Sequence, residues 1–270
     1  MGYMLNNYGG NVYCVGSNYV WGWESNRLMR ECMSHHGGAV CAERYLPVGS
    51  VDVKAIIQDI VEKRPAFIYS SLIGVSSVEF MKALYEARSD GSSLSIEAMP
   101  VCSNTLSEPE LVQLGPEAGR GHIASSAYFQ SIERIENQAF VRNYKRIYGP
   151  HLVTSADAEA AYNACYLLAR AIRGAGSDQM APVVKSLYET KLEAPQGTVW
   201  IDRRNNHSYL TPTLGISNAQ GQFDVIESYP AAIRPDPYLI DFDVDSLAQP
   251  GIITREGKPL RVIQNIPGGL

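Results

Sequence analysis

Short apolar runs alternate with helix-spaced apolar positions through the first half of the chain. Val12-Tyr13-Cys14-Val15, bounded by Gly10 and Gly16, reads as a buried strand. Ser25 to His36 reads as a helix with Leu28, Met29, Cys32 and Met33 on one face, stopped by Gly37-Gly38. A second strand is expected over Ala39–Tyr45. An amphipathic helix follows through Val53, Ile56, Ile57, Ile60 and Val61, capped by Ser50 or Asp52 and ended before Pro65. Ala66–Tyr69 is the third strand. A helix through Phe80, Met81, Leu84 and Ala87 comes next and gives way to an Asp90-Gly91 turn. Ala98–Val101 and Ile123–Ser126 complete the strands, with a helix opening at Ser107 and tolerating Pro109 in its first turn.

The middle changes character. Glu136–Tyr148, Asp157–Arg173 and Pro182–Lys191 read as three successive helices. Ala161, Cys165, Leu168 and Ile172 form the apolar stripe of the second, and the sequence offers no obvious second sheet beneath them. An extended pattern resumes at Thr198–Ile201. Leu210–Ser217 and Phe223–Glu227 then form an antiparallel hairpin around Asn218-Ala219-Gln220-Gly221. Ile233 to Tyr238 is too rich in proline for a regular element, and Gln249 to Leu270 reads as a loosely held tail.

Strands separated by helices imply parallel pairing through right-handed crossovers, which gathers the strand-exit loops along one sheet edge. Ligands of open α/β sheets bind at that edge. The loops at Gly16–Trp23, Ser70–Gly74 and Cys102–Thr105 offer hydroxyls, amides, backbone N–H groups and aromatic rings with little charge. Such a lining suits a small neutral polar ligand better than a phosphate or a metal. The aromatics Tyr19, Trp21 and Trp23 are either pocket walls or packing for their own helix.

Composition narrows the choice. The chain has 270 residues, 45% hydrophobic and 19% charged, with net charge −5 and the signs mixed, which argues against nucleic-acid binding. No apolar run is long enough to span a bilayer, and the start lacks the pattern of a secretory signal, so a cytoplasmic location is expected unless an upstream signal peptide is missing. Cys14, Cys32, Cys41, Cys102 and Cys165 share no metal-ligand spacing and read as small buried hydrophobes. Neither a metal nor a cofactor is expected.

Catalytic motifs are not found. The sequence holds no GxSxG elbow, P-loop or HExxH, and Asp241, Asp243 and Asp245 lack the rest of a calcium loop. His207 beside Asn205 and Asn206 reads as a polar hairpin entry, and no nucleophile–base pair presents itself, so the chain is not expected to be an enzyme.

Several blocks carry a family likeness. Gly16-Ser17-Asn18-Tyr19, Glu24-Ser25-Asn26, His36-Gly37-Gly38, Ala194-Pro195-Gln196-Gly197, Asn205-Asn206-His207-Ser208 and Ile233-Arg234-Pro235-Asp236-Pro237-Tyr238 occur in the order in which they resemble the cytoplasmic amide sensor that negatively regulates aliphatic amidase expression. The first and fourth blocks are also similar to urea and short-chain amide binding subunits of ABC transporters. The resemblance implies an α/β type I periplasmic-binding-protein fold with one complete parallel-sheet lobe plus helices of a truncated first lobe. It assigns residues 1–126 and 200–245 to the C-terminal lobe and 127–199 to a helical remnant of the N-terminal lobe; the Gly/Pro-punctuated pattern leaves 246–270 as the loosely structured tail. It also implies that the family's leading segment is absent. By position, Tyr19 matches a ligand-contacting tyrosine, Trp21 stands where the sensor has a second tyrosine, Thr105 matches a pocket hydroxyl, and Ile73 and Gly74 match a pocket edge. The implied ligand is a small amide or urea. The implied partner is an RNA-binding antitermination regulator, with no direct contact to nucleic acid and with room left for a homo-oligomer. The alternative role is the solute-binding component of a urea or amide ABC transporter.

Overall fold

The computed structural model describes residues 1–89 and 99–236, together with strands at 248–253 and 259–261. The chain divides into two compact units, Met1–Ser103 with the C-terminal strands and Asn104–Pro237.

The first unit runs α1 (Gly2–Tyr8), β1 (Asn11–Ser17), α2 (Val20–His35), β2 (Ala39–Leu46), α3 (Lys54–Lys63), β3 (Phe67–Ser71), α4 (Gly74–Ser89) and β4 (Val101–Ser103). Every pairing among these strands is parallel, in the order β2-β1-β3-β4. The central strands β1 and β3 are apolar and buried, as a sheet covered on both faces requires: Val12, Tyr13, Cys14, Val15, Phe67 and Ile68 are closed to solvent. The helices contribute Met29 and Met33 from α2, Ile56, Ile57 and Ile60 from α3, and Phe80, Met81 and Leu84 from α4 to the core. Helix α2 stops where Gly37 takes φ 75°, a value that favours glycine, and Gly38 N–H bonds Met33 O at 2.8 Å.

The second unit contains α5 (Glu108–Gly119), β5 (Ile123–Ser126), α6 (Ile135–Tyr148), α7 (Ala156–Ala175), α8 (Met180–Leu187), β6 (Lys191–Ala194), β7 (Gly197–Ile201), β8 (Ser208–Tyr209), β9 (Thr213–Ser217) and β10 (Phe223–Ser228). Strand β9 pairs antiparallel with both β5 and β10, and the ladder slips between Val225 and Glu227, leaving Ile226 as an extra residue. Strands β6, β7 and β8 form a separate antiparallel sheet. Ser107 and Glu110 close a capping box at the start of α5, and the helix kinks at Gly115-Pro116. The C-terminal strands β11 (Ala248–Ile253) and β12 (Pro259–Arg261) pair antiparallel.

Several expectations change. Helix α2 begins at Val20 rather than Ser25, because Tyr19, with extended backbone, serves as its N-cap and its carbonyl already accepts Trp23 N–H at 3.1 Å. Helix α3 begins at Lys54 with Val53 at the cap and no side-chain cap; Ser50 Oγ accepts Asp52 N–H at 3.4 Å instead, making a turn upstream of the helix. Ser70, Ser71, Cys102 and Ser103 extend their strands rather than open loops, so those loops are shorter than expected. The hairpin strand β9 begins at Thr213, after Pro212, rather than at Leu210.

The largest correction concerns the middle helices. Helix α8 ends at Leu187, and Lys191 opens β6, so a small sheet does lie beneath α7: Leu167 packs with Leu192, Ala194 and Val199. The expected stripe of Ala161, Cys165, Leu168 and Ile172 is exposed rather than packed in the core, with Leu168 50% exposed. The inner face is Glu159, Asn163, Leu167 and Ala171. The expected burial of every cysteine also fails at Cys165, which is exposed, and is only partial at Cys32 and Cys41. The Asp90-Gly91 turn and Asp241, Asp243 and Asp245 lie outside the described residues, as does most of the tail.

Candidate functional site

In a parallel sheet the exit loops of successive strands emerge on the same side. Ser17 ends β1 and Ser71 ends β3. Asn18 N–H donates to Leu46 O, the last residue of β2, at 2.6 Å. Tyr19 N–H turns back onto Ser17 O at 2.8 Å. Ile73 N–H, in the loop after β3, donates to Ser17 Oγ at 3.2 Å. Below the rim, Ser71 Oγ donates to Asn26 Oδ1 on α2 at 3.4 Å. Ser17, Ser71 and Asn26 are all buried, so these bonds brace the loops from inside.

The loop after β1 leaves no room for a side chain at Gly22. A Cβ there would stand 2.1 Å from Ser17 O. That close approach lets α2 begin at Val20, five residues earlier than the apolar pattern indicates.

Of the residues singled out from the sequence, Tyr19 and Ile73 stand on the two exit loops that Ser17 joins, and Trp21 and Gly74 on the first turns of α2 and α4 that follow them. Tyr19 and Ile73 are half-buried, and Gly74 is exposed at φ 57°. Trp21 and Trp23 lie on the first turn of α2 and are 49% and 48% exposed. Trp23 Nε1–H donates to Asn18 Oδ1 at 3.0 Å, which stiffens the turn. Thr105 opens the second unit, half-buried in the segment ahead of α5. The pattern does not single out Ser17 or Gly22 for a role. The serine's bond is visible only once the third strand is placed, although the spacing Gly16-Ser17…Gly22 marks a tight turn.

Other chemistry lies elsewhere. His207 is exposed, with its N–H on Asn205 Oδ1 at 3.0 Å and its Nδ1 2.7 Å from Asn205 O, a local turn of the kind expected. Beside it, Arg204 grips Asp202 through Nε and Nη2 at 3.1 and 2.7 Å and holds that carboxyl well below the usual range. Burial pushes the Cys102 thiol up to about 11 and the Cys14 thiol further still, which makes both poor nucleophiles. Among the described residues no group of His, Cys, Asp and Glu side chains could hold a metal ion, and no helix is long and apolar enough to cross a membrane.

A parallel strand–helix unit with its exit loops gathered at one edge is the α/β arrangement that type I periplasmic binding proteins share with other open α/β sheets. The chain matches the periplasmic binding protein domain over residues 1–243, and it belongs to that family. It is 24% identical over 198 residues to Leu/Ile/Val-binding protein homolog 6 of Brucella melitensis biotype 1, covering 73% of this chain and 50% of that protein. It is also 29% identical over 133 residues to a Limonene hydroxylase of Geobacillus stearothermophilus, covering 49% of this chain and 24% of that one. The chain thus spans half or less of these relatives. Among solved structures, a solute-binding protein of an R. palustris ABC transporter in complex with 4-hydroxybenzoate superposes with TM-score 0.75 at 22% identity, covering 88% of this chain and 65% of that one. Another from R. palustris, in complex with benzoate, gives 0.74 at 18%, covering 87% and 62%. At these identities the structural likeness speaks for the fold.

Proposed function

We propose that this chain is the ligand-binding part of a small-molecule receptor, and that its ligand is a small neutral amide held at the strand exits. The observation that carries the reading is the bond from Ile73 N–H to Ser17 Oγ, which puts Tyr19 and Ile73 on joined loops. The rim offers hydroxyl, amide and ring groups. A neutral amide needs donors for its carbonyl, acceptors for its NH2 and an apolar wall for its alkyl part. Tyr19, Trp21, Ile73, Gly74 and Thr105 are the proposed contacts, and residues 127–199 the proposed helices of the other lobe. The ordered sequence blocks support a cytoplasmic sensor that controls amidase expression through an antitermination partner. A second reading, the solute-binding component of a urea or short-chain amide ABC transporter, is favoured by the neighbours, which are themselves transporter solute-binding proteins.

Both readings make the chain a binder rather than a catalyst, since amide hydrolysis needs an activated nucleophile and Ser17 Oγ is engaged in bracing. Calorimetry with acetamide, butyramide and urea, with leucine and 4-hydroxybenzoate alongside, tests the ligand class. Saturable heat with an amide or urea is expected, and heat only with leucine or 4-hydroxybenzoate would replace the amide. Ammonia released from acetamide would show an enzyme instead.

A further inference from the structure

The second unit carries a polar cluster that the strand-exit rim does not use. Glu159 and Asn163 sit one turn apart on the inner face of α7, and the turn between β6 and β7 brings Gln196 to them. They are 1%, 4% and 8% exposed. Asn163 Nδ2 donates to Glu159 Oε1 at 2.7 Å, Gln196 Nε2 donates to Oε2 at 2.9 Å, and Gln196 backbone N–H donates to Oε1 at 3.3 Å. The carboxylate therefore fixes both amides with their NH2 groups toward it, since either flip would aim a carbonyl at a carboxylate. Asn163 Oδ1 and Gln196 Oε1 are left buried without a hydrogen-bond partner. Two orphaned acceptors beside one carboxylate are unusual in a folded interior and call for a donor.

All three side chains line a cavity of about 410 Å³ within this unit. Most of its remaining wall is apolar, including Leu167, Leu168 and Val199. Among the described residues the charged ones at the wall are Asp157 and Glu159, both acidic, with no lysine, arginine or histidine. Burial pushes the Glu159 carboxyl up, against the bonds from Asn163 and Gln196 that favour its ionised form. An ion of opposite sign would relieve that cost.

We propose that this cavity binds a small aliphatic primary ammonium ion, its head among Asn163 Oδ1, Gln196 Oε1 and the Glu159 carboxylate and its alkyl chain against the leucine wall. An ammonium group has three donors and no acceptor, which matches a site holding acceptors in excess. A neutral amide matches it less well, because it brings no positive charge to the Glu159 carboxylate and adds a carbonyl acceptor of its own. The site belongs to the second unit and stands independently of the strand-exit reading.

The test is calorimetric titration of the full chain with n-pentylammonium, with butyramide as comparison. Saturable binding is expected, at least tenfold tighter than butyramide. Gln196→Leu removes one orphaned acceptor. Leu168→Trp fills the cavity and spares the polar cluster, so it decides the matter if the first variant fails to fold by circular dichroism. Each should weaken binding at least tenfold. No heat with n-pentylammonium, equal affinity for butyramide, or undiminished binding in the folded variants would overturn the assignment.

Discussion

The Ser17 hydroxyl oxygen accepts the backbone N–H of Ile73, 56 positions further along the chain, and so ties the exit of β1 to the exit of β3. Ser17 is fully buried, and its replacement leaves a partly buried N–H without that acceptor. Ser17→Ala should lower stability by about 1–2 kcal/mol. It should also weaken acetamide binding, because Tyr19 and Ile73 are no longer held together. Chemical denaturation and calorimetry on the same preparation check both effects. Unchanged stability would show that the bond carries no load.

Gly22→Ala places a methyl group where Ser17 O already stands, 2.1 Å from the ideal Cβ position. The obstacle is backbone, so the start of α2 has to shift. A loss of roughly 2 kcal/mol or more is expected, at the large end of single-substitution effects. Thermal unfolding measures it. A midpoint within a degree of wild type would mean that the turn is looser than described.

Tyr19→Phe separates binding from folding. Tyr19 is half-buried on the rim, and losing its hydroxyl should change stability by no more than about 0.5 kcal/mol. If the hydroxyl meets the ligand, affinity for acetamide should fall about tenfold, equivalent to about 1.4 kcal/mol. Trp21→Ala, at a half-exposed ring, should likewise leave the midpoint of unfolding close to wild type while altering ligand preference. Tighter or unchanged amide binding in Tyr19→Phe would remove that hydroxyl from the site.

Glu108 gives a pH signature. It is fully buried, its Oε1 accepts Gln130 N–H at 2.6 Å, and burial raises its carboxyl to about 7. The folded state therefore holds the proton more tightly than the unfolded state, whose carboxyl stays near its ordinary value. The contribution to stability is whole below about 4.5, falls as pH rises from there, and is lost once pH passes about 7. The full swing is of order 3 kcal/mol at most. Glu108→Gln keeps the acceptor for Gln130 and removes the titration, so its stability should fall less than wild type between pH 5 and 8. Parallel urea melts across that range decide it, and identical slopes would sink the assignment.

The sequence pattern carried different parts of this molecule unequally. Val12–Val15, Phe67–Tyr69 and the β9–β10 hairpin were legible because continuous or alternating apolar runs between glycines have few other readings. The nearness of the loops bearing Tyr19 and Ile73 follows from parallel order alone. The start of α2 was not legible, because Val20-Trp21-Gly22-Trp23 has weak helix propensity and only a contact with Ser17 O shows why glycine stands there. Helix α7 was read inside out. Its apolar residues cover much of its circumference, and the inward face holds Glu159 and Asn163, where the buried Glu159 carboxylate accepts from both Asn163 and Gln196. Hydrophobic periodicity cannot weigh a buried carboxylate held by a residue more than thirty positions away.

The slipped register of β10 has a bearing on how the protein behaves at high concentration. Among the described residues β10 is the outermost strand beside β9, and such a strand offers unpaired N–H and C=O groups to any neighbouring polypeptide. The extra residue Ile226 bends it, and exposed Asp224 and Glu227 add negative charge on either side. A second molecule cannot extend the ladder there without crowding like charges along a crooked seam. Removing Ile226 would straighten that seam and invite edge-to-edge aggregation.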